Sequence, residues 1–253
     1  MARTPQQPGF SLVELLIAMG IFTIGFVTVA AIFPSAILVQ KRTIEAEEAG
    51  VFASNSVKLL SQALDEATVA TTYSGLINNG RTGPLDADFT SFGERDRAYL
   101  ADHFDNPANA DYFWLPVLGR SDTGTEWSVF ALIVKRDPTI TDYSNGSAEY
   151  DGDEFSNQIP RVFTGDVSTF PVSPSPTIAI AGATTNEIGV GDTLFINQQE
   201  VRVLEVDTSN NRFTLDQAVP EGVPGDEIIA WYVPRESPGR RSPLLDVASA
   251  DLN

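Results

Sequence analysis

One carboxylate stands at the edge of a long apolar stretch. Glu14 lies between Val13 and Leu15, and residues 15–39 contain no charged side chain. An ionisable group near the centre of a bilayer costs about 2.5–3.5 kcal/mol to insert, so such groups are usually paired and functional. Either the Glu14 carboxylate is paired with another group inside the membrane, or it lies at the membrane interface and reaches water at little cost.

A second group of carboxylates lies in the acidic stretch of residues 137–160, at Asp151, Asp153 and Glu154. Oxygen ligands at close spacing can hold calcium. The residues 150–154 lack the D-x-D-x-D-G spacing of a calcium loop, so a solvated acidic loop is the alternative. Calcium at these three residues is the one cofactor that the sequence suggests, and no other metal site or cofactor is predicted.

The chain offers little other catalytic chemistry. It has no cysteine and a single histidine, His103, whose neighbours are acidic and aromatic. These counts exclude disulfide scaffolds, thiol nucleophiles and zinc sites built on several imidazoles. No phosphate-binding loop, dinucleotide fingerprint or nucleophile elbow is present. We therefore predict that the protein is not an enzyme.

The charge of the chain disfavours nucleic acid as a partner. Its 253 residues include 34 acidic and 16 basic residues, a formal net charge of −18. Residues 1–42 hold three basic residues and one acidic residue, so the remaining residues carry −20. Phosphate binding requires a basic surface, which this acidic body does not provide.

The apolar stretch is long enough to cross a membrane. As a helix, the 25 residues 15–39 span roughly 37 Å, whereas a hydrocarbon core measures about 30 Å. A buried helix of a soluble protein and a secretory signal peptide are the alternatives. The apolar region of a signal peptide is about 7–15 residues long and precedes a small-residue cleavage site. This stretch is longer and leads directly into another helical pattern, which favours a membrane span.

The residues around Glu14 form a specific motif. After a short polar leader, residues 9–19 read Gly-Phe-Ser-Leu-Val-Glu-Leu-Leu-Ile-Ala-Met. This motif resembles the class III signal of type IV prepilins and of type II secretion pseudopilins. The segment Ile-Phe-Thr-Ile-Gly at residues 21–25 is similar to minor pilins and minor pseudopilins.

The resemblance implies how the N-terminus is processed. Prepilin peptidase, a membrane aspartyl protease, would cut between Gly9 and Phe10 on the cytoplasmic side and N-methylate Phe10. Glu14 matches the near-invariant glutamate of the family, five residues into the mature chain. The resemblance implies that this carboxylate meets the positive N-terminal amine of a neighbouring subunit and recruits the chain into a filament.

The elements that must position these residues form an α+β fold. We predict a leader over residues 1–9 and a long helix over 10–66, with its transmembrane half at about 10–39 and a kink at Pro34. Apolar residues recur at helical spacing after the membrane half, which predicts a face packed on a globular head. Those positions are Ala49, Phe52, Ala53, Val57, Leu60, Ala63 and Leu64.

The body of the chain reads as β structure. Residues 67–170 are predicted as a pilin-like head, with a loop after the helix and strands at 112–117 and 127–134. The proline-rich residues 171–176 read as a stiff linker or a crossing between sheets. Short strand patterns within 171–236 predict a small all-β barrel or sandwich, and residues 237–253 a flexible tail.

These observations lead to one functional prediction and one alternative. The protein is expected to be a structural subunit of a type IV pilus or type II secretion pseudopilus, in a filament of one or several subunit types. Its partners would be other subunits, prepilin peptidase and the inner-membrane assembly platform. It would cross the bacterial inner membrane once and reach the periplasm or cell surface in the filament. The alternative is a membrane-anchored surface binding or adhesion protein outside any filament.

Overall fold

The computed structural model describes residues 11–85, 98–99, 111–136, 149–150, 162–170, 174–219, 228–235 and 242–252. The chain divides into two compact units, Met1–Glu47 and Glu48–Asn253. The helices are α1 (Leu12–Ala63) and α2 (Glu66–Tyr73). The strands, in chain order, are β1 (Thr82–Pro84), β2 (Ala98–Tyr99), β3 (Tyr112–Arg120), β4 (Trp127–Lys135), β5 (Glu149–Tyr150), β6 (Val162–Phe170), β7 (Ser175–Ile180), β8 (Thr193–Ile196), β9 (Gln199–Asp207), β10 (Arg212–Val219), β11 (Ile229–Tyr232) and β12 (Leu244–Asp251).

In the first unit, α1 is an apolar helix with exposed side chains. Every residue from 11 to 44 is exposed, and α1 is a helix long and apolar enough to cross a membrane. Its hydroxyl groups bond back to helix carbonyls: Thr23 Oγ1 donates to Met19 O at 2.7 Å and Thr28 Oγ1 to Ile24 O at 2.8 Å. Such back-bonding satisfies the polar atoms without water, as a bilayer requires.

The helix continues through Pro34 without a break. Proline has no N–H, so the hydrogen bond that residue 34 would donate to the preceding turn is missing. The kink predicted at this position stays a prediction.

In the second unit, α1 buries one face. The predicted apolar positions from Ala49 to Leu60 are all buried, and so is Leu64, whereas Ala63 is exposed. The break after Ala63 comes from Asp65, which caps a second helix that was not predicted. Its carboxylate accepts from Thr68 N at 3.1 Å and fixes the start of α2, as N-cap carboxylates do.

The sheet that covers this helix is antiparallel. Strands β1, β3, β4 and β12 lie side by side in that order, and β2 also pairs with β3. The β3–β4 pairing runs from Tyr112 opposite Lys135 to Arg120 opposite Trp127. The two strands predicted in this region, at 112–117 and 127–134, are confirmed.

Both faces of this sheet are buried within the second unit. On one face, Trp114 and Ile133 pack in a cluster with Phe52 of α1. On the other face, Phe113 packs in a cluster with Phe195 of β8. Strands buried on both faces carry apolar residues in an unbroken run, which explains why β3 and β4 show no polar alternation.

The second sheet closes on itself into a six-stranded barrel. Its strands follow the order β6, β7, β10, β9, β8, β11, and β11 pairs back with β6, while β5 pairs with β6. Apolar side chains such as Ile178, Val203 and Phe213 fill its buried cluster. The small all-β module predicted from the sequence is confirmed as this closed barrel.

The barrel begins earlier than predicted. Val162–Phe170 was assigned to the head, yet it pairs with β7 and with β11 in the barrel. The proline-rich segment that the sequence predicts as a linker or a crossing between sheets overlaps β7 at Ser175 and Pro176, and its residues 171–173 lie outside the described residues. The apolar sequence pattern that would indicate a buried strand is weak in β6, because most of its residues are only half-buried.

The predicted flexible tail at residues 237–253 is wrong for its second half. Leu244–Asp251 forms β12, which pairs with β4 from Leu244 opposite Val134 to Asp251 opposite Ser128. Leu252 N then donates to Trp127 O at 2.9 Å, and its side chain is buried. The last strand thus completes the first sheet, and the barrel is an insertion between β4 and β12.

Candidate functional site

Glu14 forms a reciprocal pair of hydrogen bonds with Ser11 at the start of α1. Ser11 N donates to Glu14 Oε2 at 3.0 Å, and Glu14 N donates to Ser11 Oγ at 3.2 Å. This is a capping box, in which two backbone N–H groups at a helix start find side-chain acceptors. Both residues are exposed, and these local bonds hold the carboxylate among the described residues.

This arrangement keeps an anion at the positive end of the helix. The unpaired N–H groups of the first turn favour a negative charge there. The bond to Ser11 uses Oε2, and a carboxylate accepts through both of its oxygens. The capped glutamate therefore retains an oxygen with which to meet a cation, provided that the cation approaches the start of the helix.

Several predicted site residues lie outside the described residues. These are Gly9 and Phe10 of the predicted cleavage site, and the calcium candidates Asp151, Asp153 and Glu154. His103 also lies outside them. Within the ranges that the structure describes, no group of three or more histidine, aspartate or glutamate residues is placed to hold a metal ion.

The start of the chain is the part that known protein families recognise. Residues 5–30 match the prokaryotic N-terminal methylation motif. This is the class III signal of type IV pilins and pseudopilins, and here a long apolar helix follows it. No curated protein and no solved structure matches the chain. The methylation motif points to a structural protein that is processed at its N-terminus, and with the apolar helix it fits a membrane-anchored protein.

Sequence reasoning missed the polar contacts that fix the barrel to the sheet. Trp231 Nε1 donates to Thr82 Oγ1 at 2.8 Å in a buried position. Gln198 Nε2 donates to Arg120 O at 2.8 Å. Gly119 leaves room for that contact, because a Cβ there would lie 2.9 Å from Gln198 Oε1 and 2.5 Å from a ring carbon of Phe130. Contacts between residues so distant in the chain leave no local signal in the sequence.

A buried ion pair fixes the point where the chain leaves the barrel. Asp192 is 2% exposed and accepts two bonds from the Arg235 guanidinium, one of them from Nη2 at 2.8 Å. Its oxygens also accept from Gly189 N at 2.8 Å and from Ser242 N at 3.0 Å. Breaking such a buried pair typically costs about 3–5 kcal/mol. Through the bond that it accepts from Ser242 N, the buried Asp192 joins the barrel to the segment that enters β12.

The carboxylate of Glu200, at the junction of barrel and sheet, lies where its negative charge is disfavoured. Desolvation raises the pKa of Glu200 on β9, and the negative charges of Asp246 on β12 and Asp216 on β10 raise it further. The guanidinium of Arg202 acts in the opposite direction. Asp216 also accepts from Arg202 N at 2.8 Å. These carboxylates belong to the second unit and affect the stability of the head.

Proposed function

We propose that this chain is a subunit of a type IV pilus or of a type II secretion pseudopilus, cut between Gly9 and Phe10 and assembled through α1. The observation that carries the proposal is the methylation motif at residues 5–30, followed directly by an exposed apolar helix. Prepilin peptidase, the inner-membrane assembly platform and other subunits are the partners. The subunit crosses the inner membrane once before it enters the filament.

The chemistry of Glu14 supports assembly rather than simple anchoring. Cleavage after Gly9 creates a new amine on Phe10, which is a cation at the start of the mature helix. Two unit charges at close range attract far more strongly in a medium of low dielectric constant than in water. An unpaired carboxylate in the membrane is costly, and pairing with the amine of an adjacent subunit removes that cost.

The large head supports a minor subunit, present at few positions in the filament. A closed barrel is inserted into the sheet and covers the face opposite α1. A subunit that only repeats along a fibre does not need an inserted barrel. A subunit that presents a surface to the outside does need an added domain of this kind. The I-x-x-I-G segment at residues 21–25 supports the same assignment.

Replacement of Glu14 separates this proposal from an anchored binding protein. We expect Glu14→Ala to be cut and to remain in the membrane, but to be depleted at least tenfold from purified filaments. Glu47→Ala, an exposed acidic position on the same helix, is the matched control and should assemble normally. Mass spectrometry of the mature chain should find methylated Phe10 at its start. An intact N-terminus, or normal assembly of Glu14→Ala, would show that the proposal is wrong.

A further inference from the structure

Asn79 and Gly80 form a chemically reactive pair in the loop between α2 and β1. The backbone nitrogen of the residue after an asparagine can attack the side-chain amide carbon and close a five-membered succinimide ring. Ammonia leaves, and water then opens the ring to aspartate or isoaspartate. Glycine in the second position makes this attack easiest, because it has no side chain and adopts backbone conformations that other residues avoid. Asparagine is accordingly among the thermolabile residues of proteins.

The structure holds the attacking nitrogen of this pair in a hydrogen bond. Gly80 N donates to Ser121 O at 3.0 Å, and Gly80 is buried. The bond lies just beyond the pairing of Thr82 with Gly119, so it extends the β1–β3 ladder. The nitrogen must lose its proton and turn towards the Asn79 side chain in order to react. Both steps require this end of the ladder to open.

The second reacting group, the Asn79 side-chain amide, lies against the turn between β3 and β4. A Cβ on Gly124 would lie 2.4 Å from Asn79 Oδ1, so the amide packs directly over this glycine. Asn79 is exposed, which gives water access to the ring that the reaction forms. The same turn therefore restrains both reacting groups, one through a hydrogen bond and the other through packing.

Arg120 fastens this loop to β3. Its Nη1 donates to Ser74 O and to Ile77 O, both at 3.0 Å. Its Nε donates to Gly124 O at 3.2 Å. One guanidinium group thus ties the chain that precedes Asn79 to the turn that covers Asn79.

We propose that Asn79 is a gated deamidation site: it reacts in molecules in which residues 78–80 have left the β3–β4 turn, and its product loosens the docking of the barrel on the sheet. In the first step a bond forms between Gly80 N and Asn79 Cγ, and the bond from Asn79 Cγ to Nδ2 breaks. Ammonia leaves with the proton of Gly80 N, and water hydrolyses the ring. The observed rate is the rate of the open loop multiplied by the fraction of molecules that are open. The reaction does not depend on filament assembly, so it goes beyond the proposed function.

The product affects the barrel because β1 carries one of the docking contacts. Thr82 Oγ1 accepts from Trp231 Nε1 at 2.8 Å in a buried position. Isoaspartate carries the backbone through its side chain, which adds one carbon before Gly80 and shifts the residues that follow against β3. Either product also adds a negative charge near Asp122, whose Oδ1 would lie 2.2 Å from a Cβ on Gly80. Both changes oppose the return of the loop to its place.

The first test measures deamidation by mass spectrometry of peptides from the detergent-solubilised full chain at mildly alkaline pH. We expect Asn79 to react at least about tenfold more slowly in buffer than in urea, because local opening limits the reaction. Asn145–Gly146 is the other Asn–Gly pair of the chain, and it reports the chemistry of an unfolded pair. In urea, Asn79 and Asn145 should react at similar rates. Equal rates of Asn79 in buffer and in urea would overturn the gate, and an unreactive Asn79 in urea would overturn the site.

A glycine variant opens the loop on purpose. Gly124→Ala places a methyl group where the Asn79 amide lies, and it should raise the rate at Asn79 in buffer by about threefold or more. Gly182→Ala is the matched control, because Gly182 also has a positive φ but a Cβ there meets nothing within 4 Å. It should leave the rate unchanged. Unchanged deamidation in Gly124→Ala, or equal acceleration in both variants, would overturn the gate.

A second opening variant acts through the loop itself. Arg120→Lys keeps the charge but loses the forked contact with two carbonyls, and it should also accelerate deamidation of Asn79 in buffer. Thermal unfolding identifies which variants are folded at the temperature of the incubation, and rates are compared among those. A folded Arg120→Lys chain that reacts no faster than the original would contradict the role of the loop contacts.

The last test asks what the product does to the barrel. Anion exchange separates the deamidated chain, and its β1 and β11 peptides should exchange amide hydrogens at least about threefold faster than those of the intact chain. Thr82→Ala, which removes the acceptor of Trp231, should reproduce the faster exchange in β11. Asn79→Gln closes a six-membered ring far more slowly and should age without the change. Unchanged exchange in β11, or an equal increase in every strand of the second unit, would overturn the link between Asn79 and the barrel.

Discussion

Glu200 is a residue whose neighbours oppose its charge in the folded protein. Burial first, and then the charges of Asp246 and Asp216, raise its pKa above the ordinary value of 4.5. A carboxyl group whose pKa is higher in the folded state than in the unfolded state destabilises the fold once it ionises. This cost is absent below about pH 4, grows as the pH rises from the ordinary pKa through the raised one, and is complete once the pH lies above the raised pKa.

Glu200→Gln should therefore stabilise the protein at pH 8 and leave it nearly unchanged at pH 4. Neighbouring atoms partly desolvate the Glu200 carboxylate, but the residue as a whole keeps exposed surface. Water therefore screens the repulsion, and the gain should stay below about 1 kcal/mol. Thermal unfolding of the detergent-solubilised chain at the two pH values measures the difference. Glu205→Gln, on the same strand, is the matched control. An equal shift at both pH values would contradict this explanation.

Individual elements differ in how clearly the sequence reveals them. The buried face of α1 has apolar residues at helical spacing, and β3 and β4 have unbroken apolar runs, so both were predicted. Strand β12 reads Leu-Leu-Asp-Val-Ala-Ser-Ala-Asp, with small and polar residues that are also common in a disordered tail. These residues form a strand because they pair with the edge of β4. That edge is distant in the sequence, so no local pattern indicates the pairing.

Strand β12 should be essential for the head. Truncation after residue 243 removes a strand that pairs along β4 and also removes Leu252 from the buried cluster around Trp127. The exposed edge of β4, which is strongly apolar, should then favour aggregation. We expect the truncated chain to lose cooperative thermal unfolding and to be degraded in cells. Removal of Asn253 alone leaves β12 and Leu252 in place and should have no effect, whereas a stable truncated chain would contradict the role of β12.

At the scale of the whole molecule, the order of layers in the second unit is the feature that sequence reasoning could not supply. Local sequence patterns indicate the methylation motif, the apolar helix and the presence of a β module. The docking of the barrel on the sheet depends on contacts such as Trp231 with Thr82, which lie 149 residues apart. The cleavage site was predicted because family signals of this kind are contiguous, whereas the capping box of Glu14 required the geometry of the helix start.

The layer order predicts which part of the head faces outwards in a filament. Helix α1 packs on one face of the sheet from Ala49 onwards, and the barrel covers the other face. In an assembly that gathers the α1 helices together, the barrel should therefore lie on the outside. Ser209, in the exposed turn between β9 and β10, is a suitable place for a label.

The chain has no cysteine, so a single introduced thiol can be labelled uniquely. We expect Ser209→Cys to react with a maleimide reagent in intact filaments as fast as in the detergent-solubilised subunit. Ser56→Cys, which replaces a residue with no exposed surface on the packed face of α1, should react in neither state until the protein unfolds. If assembly protects Ser209→Cys, the barrel instead lies against a neighbouring subunit, and its role is contact within the filament rather than display at the surface.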